Sequence, residues 1–172
     1  MFEKYDPANP ANKVEMTSRF VWADPAHIIA AFFGAGLPKK APGTYGTLAG
    51  AISYIVLAPS IGVFGMGIIA LIFLIFGAWA AQKTGEDIGV HDHKGIVIDE
   101  VVAIWFLYLF IPSGILWWAA GFIAFRFFDI VKLPPCNLID EKCRNGAGVM
   151  ADDLVAALYA WILIRALAWI FG

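Results

Sequence analysis

The sequence predicts an all-α fold: a polytopic membrane helical bundle built from two helical hairpins plus a C-terminal helix, with a short N-terminal interfacial or re-entrant helix. Three observations lead there. Apolar residues make up 60% of the 172-residue chain and charged residues 15%, against about a quarter charged in soluble domains. Residues 41–82, 101–125 and 154–164 contain no charged side chain. Finally, apart from Arg165 inside the last helix, the Lys and Arg residues gather at one set of ends of these stretches, and the breaks within them hold none. The competing fold, a soluble helical bundle, would have to leave an unusually greasy surface in water.

Each element follows from local pattern. Residues 1–20 are polar, carry Pro7 and Pro10, and lack the apolar core of a signal peptide. They are expected to form a retained, mobile tail ahead of one membrane domain spanning 21–172. The segment "PAHIIAAFFGAGL" is too short to cross a bilayer and is expected to re-enter or lie at the interface. Residues 41–82 have about twice the length of a span, and Pro59-Ser60-Ile61-Gly62 interrupts them. A hairpin of helices over 46–58 and 63–82 is therefore expected. Ile111-Pro112-Ser113-Gly114 predicts a second hairpin, over 99–110 and 115–131. The last helix is expected over 152–171, with Asp152 as its N-cap.

Charge placement orients the bundle. Lys39, Lys40, Lys83, Lys94, Arg126 and Lys132 share one end, which the positive-inside rule assigns to the cytoplasm. A net charge of -2 and the lack of a basic run exclude a nucleic-acid partner and leave the lipid bilayer as the expected one. Cys136 and Cys143 match no usual zinc spacing and are expected to be free thiols in a reducing compartment.

The acids of that end carry the chemistry. In "GIVIDEVVAIWFLYLF", Asp99 and Glu100 stand directly before an apolar run, and Asp152-Asp153 repeat the arrangement before "LVAALYAWILI". Asp129 follows another apolar run in "FRFFDIVK". Acids favour a helix N-terminus through its dipole. Three acidic sites beside lipid, however, repel one another unless a cation sits among them. Hard oxygen donors of this kind suit Mg²⁺.

Arg126, Asp129 and Lys132 share a helical face at i, i+3 and i+6, either as an ion-pair ladder or as a phosphate grip around a metal ligand. "GAGLPKKAPGTYGTLAG" places Lys39, Gly43 and Thr44 just ahead of a helix, where backbone N–H groups can hold an anion; a Gly/Pro turn accounts for it equally well. In "HDHKG", His91 and His93 are either part of a polar loop or a general acid or base. A small transporter or channel using intramembrane acids is the alternative function, but its acids belong near the bilayer midplane.

"PGTYGTLAG", "GVHDHKGIVIDEVVAIW", "FRFFDIVK" and "GAGVMADDLVAA", in this order, resemble the phosphatidylglycerophosphatase A family of bacterial inner-membrane lipid phosphatases. The resemblance implies an all-helical fold and Mg²⁺-dependent hydrolysis of phosphatidylglycerophosphate to phosphatidylglycerol and phosphate, on the cytoplasmic face of the inner membrane. It implicates Asp99, Glu100, Asp129, Asp152 and Asp153 as the acidic set. With them come Pro42, Gly43, Thr44, His91, Asp92, His93, Arg126 and Lys132. Leu133 and Asn145 depart from the family pattern, which bears on local loop geometry and removes no charged group.

Overall fold

The computed structural model of the protein describes residues 14–134 and 145–171. Residues 1–13 of the expected tail, and Cys136 and Cys143, lie outside the described residues. Among those described there is no strand. The helices are α1 (Ser18–Val21), α2 (Pro25–Ala30), α3 (Pro42–Ile88), α4 (Ile98–Phe110), α5 (Ile115–Val131) and α6 (Gly146–Phe171). Residues 18–20 of the polar N-terminal stretch are thus helical, and Met16 is buried.

The helix bounds differ from expectation for local reasons. α3 begins at Pro42, since proline's fixed φ suits a first turn, and it stops where Gly89 turns left-handed at φ 76°. Pro59, Ser60 and Ile61 stay helical, which narrows the expected four-residue break to Gly62. Its φ of 72° and ψ of 169° fall in a region that is essentially glycine's alone. α6 starts at Gly146 because the Asn145 side chain accepts from the Gly148 N–H at 2.8 Å. Asp152 is therefore not an N-cap. It lies nearly two turns inside the helix.

A straight 47-residue α3 would run about 70 Å. Instead Gly46 and Gly77, on either side of Gly62, pack against the neighbouring residues Val97 and Ile98. Both halves of α3 thus flank α4. The first half packs by close backbone approach: an added Cβ would come within 2.5 Å of Val97 at Gly46 and 2.9 Å of the Val101 Cα at Gly50. This is the Gly-x-x-x-Gly device of helices that meet in lipid. Trp105 fills the space beyond it. Its indole N–H donates to the Gly50 carbonyl at 2.9 Å and to Ser53 Oγ at 3.0 Å, with Phe32 and Phe73 edge-on to its ring.

α4 is buried along nearly its whole length. Its 13 residues span about 20 Å, less than the roughly 30 Å of a hydrocarbon core. Enclosed by α3, α5 and α6, it has no need to match the bilayer. α6 turns Asp153, Ala156, Ala157, Ala160 and Ile164 inward at helical spacing. Short α1 and α2 are stapled to the end of α3. His27 bridges the Phe20 carbonyl and Asp87, and Lys83 pairs with both Asp24 and Asp87. The Ala26 N–H, and then Lys83, hold the Asp24 carboxyl below its ordinary range.

The surface is the reverse of a water-soluble one. Phe64, Leu116 and Trp169 are more than 80% exposed, while Asp99, Glu100 and Asp153 are under 5%. Among the described residues, two helices, α3 and α6, are long and apolar enough to cross a membrane. The chain is a membrane-associated helical protein.

Replacing Gly50 by Val should destabilise the detergent-solubilised protein by about 3 kcal/mol, because the Val101 backbone cannot move aside. Gly67→Ala, which meets open space on a helix, should be neutral or slightly stabilising. Equilibrium unfolding of the two variants checks the pair.

Candidate functional site

The inward faces of four helices meet at one end of the bundle. α4 begins there after Val97, which offers no side-chain cap, so its first-turn N–H groups point their partial positive charge toward Asp99 and Glu100. Oxygens of Asp99, Glu100 and Asp153 all lie within 4.8 Å of one another. Asp129, Asp99, Asp152 and Glu100 all press their charge on Asp153, and Asp92 and Asp99 press theirs on Asp152. At this separation and an effective dielectric near 20, each ionised pair repels by roughly 3–4 kcal/mol. Three such pairs approach the whole stability of an ordinary domain, about 5–15 kcal/mol.

Two cations stand against this charge. Arg126 is buried, and its Nη1 meets three helices: it donates to Asp129 Oδ2 on α5 at 2.5 Å and to Thr47 Oγ1 on α3 at 3.4 Å, and lies 3.9 Å from Glu100 Oε1 on α4. Thr47 can accept because its own proton goes to the Gly43 carbonyl at 2.8 Å. Lys132 caps α5 in a left-handed conformation, φ 45° and ψ 62°, which is strained for a residue with a Cβ. From there its ammonium donates to Asp152 Oδ2 at 2.8 Å. Phe128, Asp129, Lys132, Asp152, Asp153 and Ala156 line a small cleft between α5 and α6.

Of the five acids expected to hold a metal, Asp99, Glu100 and Asp153 converge within ligand reach of one another. Asp129 and Asp152 lie alongside, bonded to Arg126 and Lys132. Their chemistry bears on whether Mg²⁺ fits. Asp153 Oδ2 and Asp152 Oδ1 are buried without a hydrogen-bond partner, an expensive state for a carboxylate oxygen. All the converging donors are hard oxygens. The residues fit a divalent cation of that class.

The remaining expected residues are placed differently. Lys39 is exposed and pairs with Glu15 at 2.7 Å. Gly43 and Thr44 form the first turn of α3, where the Thr44 N–H bonds back to Ala41 and the Gly43 carbonyl serves Thr47. His93 is buried with both ring nitrogens bonded to backbone: Nε2 to the Val14 carbonyl at 2.8 Å, and Nδ1 to the Gly95 N–H at 3.0 Å. It clamps the loop that leads into α4. His91 is exposed, and its carbonyl packs on Gly85.

Two residues join the site that the pattern of acids did not single out. Thr47 was legible, because Gly43, Gly46, Thr47 and Gly50 repeat at helical spacing and form a buried stripe of small residues. Asp92, which only the family resemblance had brought in, acts on Asp152 from the loop, where no periodicity announces it.

The sequence family described as Phosphatidylglycerophosphatase A matches the chain over residues 28–168. This chain belongs to that family. It is 41% identical over 162 residues to the Phosphatidylglycerophosphatase A of Haemophilus influenzae, covering 94% of this chain and 96% of the relative. It is 35% identical over 150 residues to the protein of the same name from Escherichia coli, covering 87% of each. No solved structure matches the chain.

Truncating Arg126 to Met should lower the unfolding free energy by about 3–5 kcal/mol, since it strands the buried carboxylates of Asp129 and Glu100. Adding Asp129→Asn to Arg126→Met should recover part of that loss. Chemical unfolding of the single and double variants in detergent tests both statements.

Proposed function

We propose that the carboxylate end of this bundle hydrolyses phosphatidylglycerophosphate to phosphatidylglycerol and phosphate with Mg²⁺, at the cytoplasmic face of a bacterial inner membrane. Family membership makes the chain a phosphatidylglycerophosphatase, a hydrolase of phospholipid synthesis. The observation that carries the site assignment is the convergence of Asp99, Glu100 and Asp153 on one point beside Arg126 and Lys132. α3 reads as one membrane hairpin turning at Gly62 and α4–α5 as the second, with α6 the final crossing and α1–α2 at the interface. The Lys and Arg residues of the carboxylate end set its side of the membrane.

In this reading Asp99, Glu100 and Asp153 hold the metal. When bound, Mg²⁺ neutralises phosphate charge, polarises the P–O bond and lowers the pKa of a coordinated water. Arg126 and Lys132 exchange one carboxylate partner for phosphate oxygens and stabilise the charge that grows on them as the ester bond breaks. Asp129 and Thr47 keep the guanidinium aimed while it does so. Burial of the cluster excludes bulk water and strengthens each of these interactions. The lipid's glycerol and acyl chains stay among the apolar helices.

Purified protein should release inorganic phosphate from phosphatidylglycerophosphate with Mg²⁺ and stop when the metal is chelated. Asp153→Asn and Asp99→Asn should each lower kcat/KM at least about 100-fold, and Mg²⁺ should no longer raise their melting temperatures. Full activity in Asp153→Asn, or undiminished activity in chelator, overturns the metal assignment.

A further inference from the structure

A groove of about 350 Å³ runs between α4 and α6, lined by Phe106, Phe110, Leu154, Ala157, Leu158 and Trp161. Its volume lies in the range of small-molecule sites, and its walls are apolar. Position makes it more than a lipid-facing crevice. Its two walls are the helices that carry Asp99, Glu100, Asp152 and Asp153. Leu154 directly follows Asp153, Ala157 lies one turn below, and Trp161 lies two turns below, about 12 Å along the axis. On α4, Phe106 and Phe110 stand about 9 and 15 Å below Glu100.

A hydrogen bond joins the two walls at the far end. The Trp161 indole N–H donates to the Phe110 carbonyl at 3.2 Å, which ties the two helices across the groove and satisfies a carbonyl in the last turn of α4.

We propose that this groove holds one acyl chain of the lipid whose phosphate is removed, with Trp161 as the stop that sets the preferred chain length. The inference rests on the phosphatase reading above. A phosphate gripped by Arg126 and Lys132 sits in the cleft between α5 and α6, and α6 is also a wall of the groove, so a chain leaving the glycerol near Leu154 can pass between α6 and α4. Seating that chain orients the ester for attack and draws binding energy from a part of the substrate remote from the bond that breaks.

The test compares phosphatidylglycerophosphates carrying eight-carbon and sixteen-carbon chains in mixed micelles. Leu158 is half exposed on the groove wall, so Leu158→Trp fills the space without entering the core. It should lower the ratio of kcat/KM for the long-chain over the short-chain lipid at least tenfold, mainly through KM. Trp161→Phe, which removes the indole N–H and opens the stop, should shift the ratio the other way by about threefold. Wild-type activity on either lipid with ratios unchanged in both variants overturns the groove assignment alone and leaves bulk lipid as its occupant. A wild type that releases phosphate from neither lipid overturns the phosphatase reading, and this one with it.

Discussion

Mutual repulsion among buried carboxylates is the constraint on which the rest of this structure depends. Oxygens of Asp99, Glu100 and Asp153 within 4.8 Å create a debt of roughly 10 kcal/mol when all are ionised. Nothing in the apolar part of the bundle lowers that figure. It has to be met locally, by cations and aligned dipoles. The architecture does this from several directions at once. The N-terminal turn of α4 faces the cluster, Arg126 approaches from α5, and Lys132 reaches across to α6. Arg126 is the hinge of the arrangement, because one nitrogen serves Thr47, Glu100 and Asp129 on three helices. Its planar, permanently charged fork suits that task better than a lysine would.

The packing of the helices follows from this demand. For Thr47 to reach Arg126, α3 must come very near α4, and the glycines at 46 and 50 permit it. Trp105 then fixes the register of that contact through its indole bond to the Gly50 carbonyl. The enclosure of α4 has the same origin. A helix carrying two acids in its first turn could not stand in lipid without a large transfer penalty. Surrounding it with three other helices removes that exposure and frees it from the length requirement of a true span. The strained φ of Lys132 sits at the end of α5 for a related reason, since a continued helix would carry its ammonium away from Asp152.

Much of this was legible in the sequence, and the illegible part has a physical pattern. Helices α4 and α5 were expected at almost their observed bounds, because Ile111-Pro112-Ser113-Gly114 supplies a strong stop and Asp99-Glu100 a strong start. α3 and α6 were placed too short. Apolar residues surround them on all sides, so hydrophobic periodicity could not locate their ends, and the capping signals at Pro42, Gly89 and Asn145 carried that information instead. That acids of three helices gather at one end could be anticipated from sequence; which of them come within ligand reach could not, since Asp129 pairs with Arg126 instead. The histidines could not be resolved that way. A buried imidazole that clamps backbone and one that moves protons look identical in sequence, and only the Val14 and Gly95 bonds identify His93 as a clamp. Lys39 failed to reach the site for the opposite reason: an exposed lysine takes whichever acid is near, here Glu15.

The pairing of cations with acids before any ligand arrives has a thermodynamic consequence. Lys132 bonded to Asp152, and Arg126 bonded to Asp129, are each nearly neutral units, so the cleft presents little net attraction to a phosphate by itself. When a phosphate dianion draws Lys132 off Asp152, or Arg126 away from Glu100, the carboxylate left behind becomes costlier to keep ionised in its buried position. A divalent cation held by Asp99, Glu100 and Asp153 would offset that cost, since it would bring positive charge to Glu100 and close to Asp152. Each ligand therefore lowers the penalty that opposes the other, and the coupling must be equal in both directions. On this reading the resting ion pairs are more than braces for an apolar bundle. They hold the phosphate grip closed until metal and substrate occupy the site together.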